Sequence, residues 1–143
     1  ERDARERFLS FYEEEWAKEF SDFLPGIKER APSEILRFLK EHPEEKLPIR
    51  ELFSFLEIIL RDVLCYKSTK RQELLYAREI SGTLIRMASD FDYSELGKIT
   101  DELARDVREL SLNVNRELQL EQLLFSMGRR EEGQPGGPGR TIW

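Results

Sequence analysis

PIRELFSFLEIILRDVLCYK, residues 48–67, carries twelve apolar or aromatic side chains among its twenty residues, too many for a helix with one wet face. At helical spacing Ile49, Leu52, Phe53, Leu56, Ile59, Leu60, Val63 and Leu64 make one broad face, and Phe55, Ile58, Cys65 and Tyr66 extend it round the side. The remaining polar stripe is thin: Arg50, Ser54, Glu57 and Arg61. Glu57 precedes Arg61 by one helical turn, the favourable order for a surface ion pair. Such a helix has to be enclosed by other helices, so 48–67 is expected to be the centre of a bundle. A membrane span is not expected, because charges interrupt every apolar run well short of the ~20 residues that a span needs.

Working outward, residues 3–24 read as a first helix with an aromatic stripe of Phe8, Tyr12, Trp16, Phe20, Phe23 and Leu24, closed by Pro25-Gly26. The stripe is expected to face the core. Ser33 is placed to cap a short second helix that buries Ile35, Leu36, Phe38 and Leu39 before Pro43. After the central helix, residues 70–89 read as a fourth helix carrying Leu74, Ala77, Leu84, Ile85 and Ala88, with Gly82 in its middle. Asp92-Tyr-Ser-Glu95 has capping-box spacing, with Phe91 and Leu96 as its hydrophobic staple. It opens a fifth helix with Leu96, Ile99, Leu103, Val107 and Leu110 on one face. Asn115 can cap a last helix bearing Leu118, Leu120, Leu123, Leu124 and Met127, with Gly128 as its terminator. No strand pattern and no repeat occurs. The expected fold is all-α, a single bundle of five to six helices over residues 1–128, followed by a Gly/Pro-rich tail, 129–143, that is expected to be mobile and dispensable.

The 143 residues suffice for one domain with a real core, and the net charge of −6 with 36% charged residues gives a mildly acidic exterior. Direct nucleic-acid binding would call for a basic face. The acid is concentrated early, with 9 basic and 13 acidic side chains in residues 1–48 against 7 and 6 in residues 49–90. One cysteine, Cys65, excludes an internal disulfide and suits a reducing cytoplasm. A chain opening on ERDARER is expected to be cut from something longer.

Chemistry is hard to find in this chain. His42, the one histidine, sits in a Pro-flanked turn without a metal-ligand partner and is expected at the surface. Cys65 reads as a small hydrophobe on the buried side of the central helix. No phosphate loop is present, and Lys67, Lys70 and Arg71 read as compensation of a helix C-terminal dipole rather than a phosphate site. Catalysis, a cofactor, a metal and a small-molecule substrate are therefore not expected. Asp62 lies beside Phe55, Ile58 and Tyr66 instead of in the polar stripe, so it needs a hydrogen-bonding partner in a partly buried place.

Two stretches carry more than composition does. Leu60-Arg61-Asp62-Val63-Leu64-Cys65-Tyr66-Lys67 ends the central helix, and Asn113-Val114-Asn115-Arg116-Glu117-Leu118-Gln119-Leu120-Glu121-Gln122-Leu123-Leu124 enters the last one. In order and separation they resemble the C-terminal domain of the bacterial DNA polymerase III delta-prime subunit, a part of the sliding-clamp loader, over residues 49–127. The gamma/tau collar is the nearest confusable relative, and the acidic lead-in and the long tail depart from the family's pattern. The resemblance implies a non-catalytic helical collar domain in DNA replication. It would assemble with other clamp-loader subunits (delta and gamma/tau) in the cytoplasm, with ATPase activity residing in other modules of the DNA polymerase III holoenzyme. It assigns structural roles to Arg61, Asp62, Lys67, Asn113, Asn115, Leu118, Leu120 and Glu121. Arg108, Arg116, Glu117 and Glu121, on the flanks of the last two helices, are the candidate residues for contact with neighbouring subunits. The competing expectation is an unrelated helical adaptor, dimerising through the aromatic stripe of the first helix.

Overall fold

A computed structural model describes residues 2–43, 45–112 and 115–128. Among these the chain forms seven α-helices and no strand: α1 (Arg2–Tyr12), α2 (Glu15–Phe23), α3 (Pro32–Glu41), α4 (Ile49–Thr69), α5 (Ser81–Asp90), α6 (Tyr93–Glu109) and α7 (Arg116–Gly128), with short 3-10 turns at Ile27–Glu29, Gln72–Leu74 and Arg78–Ile80. The all-α bundle expected from the sequence is what forms. No helix among the described residues is long and apolar enough to cross a membrane.

The central stretch does enclose itself. α4 packs against α1, α5, α6 and α7. Leu52, Phe53, Phe55, Leu56, Ile59 and Val63 have no exposed surface, while Arg50, Glu57 and Arg61 stay wet. Leu64, Cys65 and Tyr66, toward the end of the helix, are only half-buried. Arg61 turns away from Glu57 to pair with the neighbouring Asp62 at 2.8 Å, so the expected one-turn ion pair gives way to a different partner.

The expected first helix, 3–24, is two helices. α1 stops at Tyr12 and α2 begins at Glu15, with Glu14 extended between them. Three consecutive glutamates lower the cost of a break: a carboxylate is unfavourable at a helix C-terminus and favourable at an N-terminus, and the corner moves Glu15 into the first turn of α2. The corner also folds the aromatic stripe around one ring. Phe8 stacks on Phe55 at 5.7 Å, and Phe11 and Trp16 meet Phe55 edge-on at 6.1 and 5.5 Å. Phe11, not Tyr12, is therefore the contact to α4 from the last turn of α1, and Tyr12 stacks on Phe8 instead. Gly26 reverses the chain after α2 with a φ of 77°, a conformation that costs a side-chain-bearing residue.

α3 starts two residues earlier than a Ser33 cap requires, with Ala31 at the cap position. Pro32 opens it, and Glu34 reaches back to accept from the Ala31 N–H at 2.8 Å, so the glutamate closes the helix start. Leu36, expected in the core, is 45% exposed.

The largest departure lies at 70–80. Lys70 closes α4 in the left-handed conformation with a φ of 59°, and the next helix does not begin until Ser81. The segment between them is an irregular strap with two 3-10 turns. Its register differs from the helical expectation, since Leu74 is 39% exposed and Leu75 is fully buried. Gly82 falls in the first turn of α5 with open space around it, so it serves neither a bend nor a close helix contact. By contrast, the α6 start is as expected: Glu95 N–H donates to Asp92 Oδ1 at 2.7 Å, and Asp92 N–H donates to Glu95 Oε1 at 3.0 Å, with Phe91 and Leu96 buried.

Candidate protein-interaction site

The motif at the end of α4 builds a fastening, not a catalytic centre. Asp62 is fully buried, and its carboxylate accepts from the Tyr76 N–H at 3.1 Å, the Ala77 N–H at 2.7 Å and Arg61 Nη1 at 2.8 Å. A buried carboxylate is tolerable only when paired and hydrogen-bonded, and here it gains both. Arg61 also donates to the Leu74 carbonyl at 3.0 Å and lies over the Tyr76 ring at 4.0 Å. From the other side Arg5 of α1 donates to the Tyr76 carbonyl and pairs with both Glu79 carboxylate oxygens at 2.8 Å. That hydrogen bond to Arg5 holds the Glu79 carboxyl below its usual range. The strap is thus tied to α4 and to α1 through backbone groups that a helix would have satisfied internally.

The other motif residues are likewise structural. Lys67 Nζ donates to the Ala88 carbonyl at 2.9 Å near the end of α5 and sits over the Tyr93 ring. Lys70 Nζ donates to the Lys67 carbonyl at 3.1 Å, and Arg71 Nε pairs with Glu73 at 2.8 Å. The three cations are therefore engaged locally, and Lys67 and Lys70 sit on helix-end carbonyls as the dipole reading expects. Asn115 caps α7, with its Oδ1 accepting from the Leu118 N–H at 3.0 Å. Asn113 lies outside the described residues. Leu120 is buried in the seam with Leu123, Leu124 and Met127, whereas Leu118 is 43% exposed and does not join it.

The candidate contact residues separate. Glu117 and Glu121 flank a cleft of about 240 Å³ between α7, the end of α3 and the start of α4. Arg108 is exposed in the last turn of α6, Arg116 is half-buried at the start of α7, and neither lines this cleft. Between α6 and α7, Gln119 donates to the Asp106 carbonyl at 3.2 Å, and burial, helped by nearby Glu102, raises the Asp106 carboxyl.

Two groups that bear on this face were missed or misread in the sequence. His42 is no free surface histidine. It stacks on Phe38 at 4.3 Å, and its two ring nitrogens lie 2.8 Å from the Phe38 carbonyl and from Glu19 Oε1. Lys28 donates to Glu95 Oε2 at 2.6 Å and to the Asp90 carbonyl at 3.0 Å, joining the turn after α2 to the capping box of α6. The two partners are 67 residues apart, and local spacing carries no signal of such a pair.

Compared with known families, residues 14–128 match the one described as DNA polymerase III, delta subunit, C terminal. No curated protein and no solved structure gives a significant match. The matched segment runs from the α1–α2 corner through the end of α7, leaving only α1 and the tail outside it. With its motif side chains holding strap, helix ends and seam together inside that span, the chain belongs to the family of C-terminal domains of the DNA polymerase III delta subunit, clamp-loader domains of DNA replication.

Proposed function

We propose that the chain is a collar domain, which joins clamp-loader subunits by lateral contact and performs no chemistry itself. The observation that carries the reading is the use made of the motif groups: Asp62, Lys67 and Asn115 are all engaged in holding the bundle, within the span, residues 14–128, that matches the family. What such a domain has left to offer partners is its outer face. The neighbours would be the delta and gamma/tau subunits in the cytoplasm, and duplex DNA would be repelled by the acidic exterior. The competing adaptor reading loses its dimer surface, because Phe8, Trp16 and Phe20 of the aromatic stripe are buried within the chain.

The two motifs favour the delta-prime subunit, whereas the matched description names delta. Grafting the domain onto the remaining modules of either subunit decides between them, since only the correct parent would restore loader assembly. For the contact itself, Arg116→Glu combined with Glu121→Arg is expected to weaken incorporation into a reconstituted clamp loader while leaving the circular dichroism of the isolated chain unchanged. Unimpaired incorporation removes these residues from the interface. ATP turnover by the purified chain would sink the collar reading altogether.

A further inference from the structure

Two depressions of different character adjoin at His42, which lines both. The smaller is the 240 Å³ cleft, in which Leu39, Pro43, Leu47, Ile49 and Leu120 share the lining with His42, Lys40, Glu117 and Glu121. The larger, about 740 Å³, runs from the α1–α2 corner to the connection before α4. Its sides carry Glu14, Glu15, Glu19, Glu41, Glu45 and Glu51 against a single ammonium, Lys46. Glu19 is held by His42, and the other five glutamates make no ion pair among the described residues.

We propose that this face docks an extended segment of a partner protein in which a bulky aliphatic side chain is followed by two or more lysines or arginines. The cleft has the size to take one branched side chain, which would bury its surface against Leu39, Leu47, Ile49 and Leu120 while Lys40, Glu117 and Glu121, at the cleft's polar side, stay in water. The acidic trough begins on the far side of the His42 ring, where the next residues of the same segment would lie. Five uncompensated carboxylates around one concavity focus a negative potential that attracts a cationic segment and rejects phosphate-bearing partners. Neither depression makes this selection alone, because the cleft without the trough would take any aliphatic chain and the trough without the cleft would take any cation. The glutamate–histidine pair sets the wall between them, with His42 fixed by Phe38 below and Glu19 beside it. The inference goes beyond the collar reading and stands without it.

The probes are three short acetylated peptides titrated into the full chain labelled with ¹⁵N. One carries leucine followed by three lysines, the second has serine for the leucine, and the third has glutamates for the lysines. The first is expected to bind saturably, shifting the amides of Leu39, Leu47 and Leu120, and to bind about tenfold more tightly than either of the others. Glu41→Lys together with Glu45→Lys is expected to weaken it by a similar factor without lowering the melting temperature. Both side chains are exposed, and a lysine in the last turn of α3 agrees with the helix dipole. Three results overturn the proposal. They are absence of saturable binding, equal binding of the serine peptide, and binding that emerges only when Ile142→Ser and Trp143→Ser are introduced, which would assign the face to the chain's own end.

Discussion

Replacing Asp62 by alanine is expected to cost about 3–5 kcal/mol, the usual result of breaking a buried, hydrogen-bonded charge pair from one side. The structure shows where that cost arises. The Ala77 N–H, 2.7 Å from Asp62 Oδ2 and buried, loses the one acceptor it has among the described residues, and an unsatisfied buried donor costs about 1–3 kcal/mol. The Tyr76 N–H at 3.1 Å is half-buried and loses less. Arg61 is partly exposed and can turn to water, so its share is small. Asp62→Asn is expected to be nearly as harmful, because its amide nitrogen must face one of two backbone donors. Urea unfolding followed by circular dichroism gives the free energy, and amide exchange at Tyr76 and Ala77 locates the loss. A change below about 1 kcal/mol, or unaltered exchange at both amides, would refute the claim that this carboxylate holds the strap.

Leu56→Ala or Ile59→Ala, at positions without exposed surface on α4, is expected to cost about 2–5 kcal/mol in the same unfolding assay, since a cavity remains in an enclosed helix. Asp106→Asn is expected to stabilise the chain at neutral pH. Burial raises this carboxyl in the folded state, so it favours folding only while protonated and its ionisation as pH rises opposes folding; the advantage of asparagine should shrink on acidification through the ordinary carboxylate range, as melting curves across pH would show. Arg5→Ala should accelerate exchange in the strap near Tyr76, and because Glu79 is lowered by Arg5, the wild-type contact should itself be lost as pH falls through the folded-state value. Removing residues 129–143 is expected to leave helicity and the melting temperature nearly unchanged, and a large loss would show that Ile142 and Trp143 dock on the bundle.

What could be read in the sequence was what neighbouring residues decide among themselves. The Asp92–Glu95 box and the Asn115 cap are closed by groups three residues apart, and their geometry follows from local spacing. The apolar girth of α4 likewise required burial on nearly every side. Asp62 was legible in part: its place outside the polar stripe demanded a partner, but nothing nearby identified Tyr76 and Ala77 as the donors. The misread segments were decided at a distance. Residues 70–80 have helical periodicity of their own, yet the carboxylate of Asp62 and the guanidinium of Arg5 hold their backbone in the strap. The break at Glu14 follows from the need to wrap Phe8, Phe11 and Trp16 round Phe55, some forty residues downstream. At the candidate contact face, Glu117 and Glu121 were identifiable as polar helix positions, of which Glu117 is exposed and Glu121 half-buried. The cleft they flank was not, because its opposite wall comes from α3 and α4.

The two moorings of the strap differ in how much chain they enclose, and this has a kinetic consequence. Asp62 reaches its partners across 14 and 15 residues, whereas Arg5 reaches across 71 and 74. Closing the longer loop costs about 1.4 kcal/mol more in chain entropy, so the Asp62 mooring belongs early in folding and the Arg5 mooring late. A lesion at Asp62 should then slow the refolding arm of a chevron plot, and one at Arg5 should chiefly speed the unfolding arm. In the native ensemble the same ordering runs in reverse. The first excursion from the closed bundle would be release of α1 from the strap, with α4 and its loop still joined.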